Sequence, residues 1–155
     1  NNIMANEQRV RDILVNAGFE PVEDRGIIVK FAPANLSAAI ADFFSMEFYV
    51  LQMCRDELVL VPFSKLSGTL EKSVTLEIPY AAIRSVEVSE EMLNDRITIT
   101  TGTDVIAFTA QQKELSGWRT ASVLSWYMDG LKISSWHAEN MDGTLKALRA
   151  LGQPA

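Results

Sequence analysis

The chain predicts an α+β fold: an antiparallel bent sheet, or partly open barrel, of about seven strands, capped by a C-terminal helix and preceded by one or two N-terminal helices. Three observations lead there. Hydrophobic residues alternate with a period of two in short runs between Met46 and Ser135, the runs are split by turn residues too close together for parallel crossovers, and one amphipathic helix follows at the end.

Near the start, Val10, Ile13, Leu14 and Ala17 recur at i, i+3, i+4 and i+7, which predicts a helix over 7–17 with Asn6 as N-cap. Gly18 should end it in a left-handed cap, with Phe19 folding back on the last turn. Gly26 to Ala32 is β-rich and stopped by Pro33, so it reads as a short strand or extended segment. Leu36, Ile40, Phe43 and Phe44 then predict a second helix.

From there the period is two. Strands are expected at 46–54, 57–64, 73–79, 83–89, 95–101 and 104–111, with turns at Arg55-Asp56-Glu57, at Asn94-Asp95 and at Thr101 to Asp104, where Gly102 is available for a positive φ. The stretch 116–136 fits either a strand or a helix and is read as a strand. The closing helix is expected from Met141 to Leu151, its face made by Met141, Leu145, Leu148 and Leu151, and stopped by Gly152 and Pro154. This divides the chain into an N-terminal helical addition over 1–45, packed on the same core, and a β-domain over 46–155.

The 155 residues, 48% of them hydrophobic and 22% charged, suit one folded domain. A formal net charge of −6 argues against nucleic acid and anionic lipid surfaces as partners. Apolar runs such as Ile27–Val29 and Leu58–Phe63 fall far short of the ~20 residues that span a bilayer, and a cytoplasmic protein is expected. The sequon Asn35-Leu36-Ser37 would matter only in a secreted chain.

Ser135-Trp136-His137-Ala138-Glu139-Asn140-Met141 is similar to the stretch that introduces the closing helix in small bacterial pleckstrin-homology-like proteins, and the hairpin from Arg96 to Phe108 resembles that family's central hairpin. The resemblance covers about 46–151. It implies a bent sheet plugged by the final helix, and a protein-binding scaffold that takes partners along an exposed edge or beside that helix. The phosphoinositide-binding members carry several cations in the first strand-to-strand loop. Here that loop is Arg55-Asp56-Glu57, so neither phosphoinositide nor membrane binding is expected.

Each candidate group also has a structural reading. The single cysteine, Cys54, should be a half-buried strand thiol, and the single histidine, His137, should cap or pack beside the closing helix; an enzyme would have to be built on one of them. Glu139 and Asp142 suit the positive end of the closing helix, and Glu90 with Glu91 a solvated turn. Trp118, Trp126 and Trp136 cluster with Arg119 and Tyr127. Trp, Tyr and Arg are enriched at binding hot spots, so Trp118, Arg119 and Tyr127 are the partner-binding candidates, with Trp118 expected exposed and Trp136 buried. No catalytic residue, cofactor or metal site is predicted. The leading expectation is a non-enzymatic protein-interaction or scaffold domain, with self-association left open. The alternatives are a small-molecule or lipid-binding barrel, marked by a cavity between sheet and helix, and an enzyme using Cys54 or His137.

Overall fold

The computed structural model describes residues 2–45, 48–66, 70–111 and 133–152. Seven antiparallel strands form one sheet in the order β4-β3-β2-β1-β7-β6-β5. They are β1 (Pro21–Asn35), β2 (Phe48–Cys54), β3 (Glu57–Pro62), β4 (Leu76–Pro79), β5 (Ile83–Glu91), β6 (Asn94–Thr101) and β7 (Val105–Gln111). The helices are α1 (Asn2–Asn16), α2 (Ala38–Ala41) and α3 (Ile133–Leu151).

Strands β4 and β5 bound opposite margins of the sheet, yet only the 3₁₀ turn Tyr80–Ala82 joins them. A flat sheet would hold the two outer strands about 29 Å apart at ~4.8 Å per strand. Four Cα–Cα steps from Pro79 to Ile83 reach about 15 Å. The sheet therefore curls until its margins meet at a corner, an open, barrel-like form. Inside the curl, Tyr49, Leu51, Leu58, Leu60, Ile97, Ile99 and Phe108 are fully buried. Met141, Leu145 and Leu148 of α3 close that interior. On the outer face, α1 lays Val10, Ile13 and Leu14 over Ile28, Val50, Val59 and Val61. Along β2 the two sets alternate as its period of two predicts: Tyr49, Leu51 and Met53 point inward, Val50 and Cys54 outward.

The end of α1 follows from its sequence. Gly18 takes φ 102°, its N–H bonds Val15 O at 2.9 Å, and Phe19 N–H bonds Leu14 O at 3.0 Å. These are the two hydrogen bonds of a Schellman cap, and Phe19 is buried beside them.

Several expectations need correction. Residues 21–35, grouped with the N-terminal helical addition, form the central strand, which pairs with β2 on one side and β7 on the other. Helix α1 begins at Asn2, ahead of the expected cap at Asn6. The second helix is only Ala38–Ala41 and runs into a 3₁₀ turn at Asp42–Ser45, where Phe44 leaves helical geometry to stack on Phe31 at 4.5 Å. Aromatic burial outweighs helix continuation there. The β5–β6 turn is Met92-Leu93, not Asn94-Asp95, both of which are in β6. Gly102 needs no left-handed φ, because the Thr101 hydroxyl accepts the N–H groups of Thr103 and Asp104 and shapes that turn itself. Finally α3 starts at Ile133, so 133–136 is helix rather than strand and His137 lies inside the helix. The rest of the 116–136 expectation lies outside the described residues.

Among the described residues, no helix is long and apolar enough to cross a membrane.

Candidate partner-binding surface

The two reactive side chains singled out in the sequence both serve the fold. Strands β1 and β7 pair from Lys30 onward, and α3 takes over the free edge of β1 before that point. There the His137 ring bridges two backbone groups: Nδ1 accepts from Ile28 N–H at 3.0 Å, and Nε2 faces Gln111 O at 3.1 Å. One ring can serve both only as the neutral Nε2–H tautomer. Three residues on, the Asn140 amide donates to Gly26 O at 2.9 Å. Burial holds the His137 pKa down to about 4, against the small opposing effect of the Gln111 carbonyl. Of the two expected roles, capping and packing, the structure has packing: His137 lies inside α3 rather than before it, as an interior latch between helix and sheet.

Cys54 is buried outright rather than half-buried. Burial, reinforced by Glu57, pushes its thiol up to about 12, far from nucleophilic range. The Tyr80 hydroxyl donates to Cys54 O at 2.5 Å, and burial raises that phenol to about 12 as well. Burial and then the neighbouring Glu77 carboxyl raise the Glu57 pKa, on an open strand surface. Among the described residues no group of three or more His, Cys, Asp or Glu could hold a metal ion.

Trp118, Arg119 and Tyr127 lie outside the described residues, as does Trp126, and so does the side chain of Trp136. An open cleft of about 530 Å³ sits between α1 and the start of β1, with Arg11, Asp12, Val15, Phe19, Glu20 and Glu23 along it. It lies on the outer face and is not a space between the sheet and α3. An ion pair between the half-buried Arg11 and the exposed Glu23, at 3.3 Å, crosses it.

A different surface stands out at the β5 margin. Met92 is 95% exposed and Leu93 62%, the two most exposed large apolar side chains described. Met92 also takes φ 52°, a left-handed conformation that favours Gly, Asn or Asp. Beneath this tip, β5 ends the sheet, and among the described residues no strand lies beyond it. Because the hairpin turns on two residues, Glu91 and Asn94 form the last bonded pair, and alternation turns the backbone groups of Glu90, Val88 and Val86 away from β6. The end of α3 guards the last of these: a Cβ on Gly152 would lie 2.7 Å from Val86 N and 2.9 Å from its O. Among the described residues, Val88 and Glu90 lie beyond that cover, beside the exposed carboxylates of Glu87, Glu90 and Glu91. The opposite margin is blunted, since β4 has four residues and ends in Pro79.

Sequence reasoning missed this surface. Met92-Leu93 between glutamates and Asn94-Asp95 was a signal, an apolar pair where turn residues belong, but strand order is not encoded in periodicity. No protein-family model matches the chain, and none of the curated proteins matches it.

Proposed function

We propose that this is a non-catalytic, cytoplasmic protein-interaction domain of pleckstrin-homology-like form that engages a protein partner through the β5 margin and its hairpin tip. The single observation carrying the proposal is the Met92-Leu93 tip, where exposed apolar area and a left-handed methionine coincide. Each feature costs stability and neither serves the core, which is the pattern of a contact residue. The sheet order and closing helix support the pleckstrin-homology-like form. The non-catalytic reading rests on the burial of Cys54 and on the engagement of both His137 nitrogens by backbone groups. The acidic chain supports a partner other than nucleic acid or anionic lipid, and no cofactor is part of the reading. Selection of a displayed random-peptide library on the immobilised protein tests it. A recurring peptide motif should be enriched on the wild type and lost on Met92→Ser/Leu93→Ser; no enrichment on the wild type overturns the reading.

A further inference from the structure

The β5 margin has a chemistry of its own. Val88 and Glu90 present outward backbone donors and acceptors, the groups an added strand would pair. Glu87, Glu90 and Glu91 line the same stretch, all exposed. Of the three, Glu91 faces the Arg96 guanidinium at 3.9 Å, and among the described residues no ion pair is recorded for Glu87 or Glu90. A second copy of β5 is a poor occupant, because pairing two such strands would gather three glutamates from each copy, and like charges across a ladder destabilise it. An anionic peptide fails for the same reason, and a cationic one gains what these lose.

We propose that the outer edge of β5 receives a short, extended, lysine- or arginine-bearing segment of a partner protein, paired to Val88 and Glu90 and with an apolar residue resting on Met92 and Leu93. This rests on the interaction reading above and names the partner chemistry at that surface. The backbone ladder supplies orientation, and Glu87 with Glu90 selects for positive charge. Gly152 sets the limit of the site at Val86, since the end of α3 already covers that backbone.

The test uses the full chain and two synthetic peptides, one alternating lysine with valine and one alternating glutamate with valine. Amide hydrogen exchange and NMR shifts are followed residue by residue. The lysine peptide should slow exchange at Val88 and Glu90, bind at least tenfold more weakly to Glu87→Lys/Glu90→Lys, and weaken on raising salt from 50 to 300 mM. The same charge reversal should confer binding of the glutamate peptide. Both substitutions fall on exposed side chains, and an unchanged Tm confirms that the variant folds. Equal binding of both peptides, or slowed exchange elsewhere with Val88 and Glu90 unaffected, overturns the proposal. If library selection enriches neutral or acidic peptides that depend on Met92 and Leu93, the partner chemistry fails while the interaction reading survives. No enrichment at all defeats both.

Discussion

His137 and Ile28, 109 residues apart in sequence, are joined by a 3.0 Å hydrogen bond from the Ile28 N–H to the imidazole Nδ1. That bond, with the one to Gln111 O, binds α3 to the sheet where β1 and β7 part, and it needs a neutral ring. The folded pKa of about 4 lies below the unfolded value of 6.5. Its stabilisation is therefore complete above pH 6.5 and is lost as pH falls through 4, because the unfolded chain takes up the proton first. Denaturant unfolding at pH 8 and pH 5 should differ by about 2 kcal/mol from this group. His137→Gln should remove that difference. An equal pH dependence in the variant would show that the ring does not hold the helix as described.

Leu148 is fully buried in the core, with Leu145 one turn before it. Leu148→Ala should cost about 2–5 kcal/mol. Chemical denaturation gives the number directly, and a loss below about 1 kcal/mol would mean that α3 does not close the sheet.

Two glycines of the α3 region should respond in opposite senses to alanine. At Gly143 the new Cβ would meet Arg25 Nη1 at 2.7 Å, the far end of a flexible side chain that can swing away. Helix propensity should then dominate, giving a gain of up to about 1 kcal/mol. At Gly152 the obstacle is the Val86 backbone, which cannot move without disturbing β5, so Gly152→Ala should cost roughly 1–3 kcal/mol. Thermal melts of the pair test the packing, and the same sign for both would refute it.

Met92→Asn relieves the left-handed strain at φ 52° and removes an exposed apolar side chain. It should raise Tm by about 2–4 °C. A lowered Tm would mean that the methionine side chain supports the hairpin rather than serving a contact.

What could be read from the sequence was what is local. The glycine cap of α1, the alternation along β2 and the apolar face of Met141, Leu145 and Leu148 all depend on neighbours within a few residues. The centrality of β1 did not appear, because Ile27 to Phe31 finds its partners in β2 and β7, the latter more than seventy residues on. The first two turns of α3 were hidden by Ser134, Ser135 and the alternating aromatic stretch before them. His137 drew notice as the only histidine, but its role depends on where β1 and β7 separate. The Met92-Leu93 turn was overlooked for a physical reason: an apolar pair reads as strand, and only the strand order shows that it lies at the β5 margin, where the described sheet ends.

The most direct measurement is isothermal titration of the best library-selected peptide against the wild-type protein and Met92→Ser/Leu93→Ser. If the β5 margin and its tip are the binding surface, affinity should fall at least tenfold, about 1.4 kcal/mol, with folding intact. Unchanged affinity in a folded variant would contradict the account.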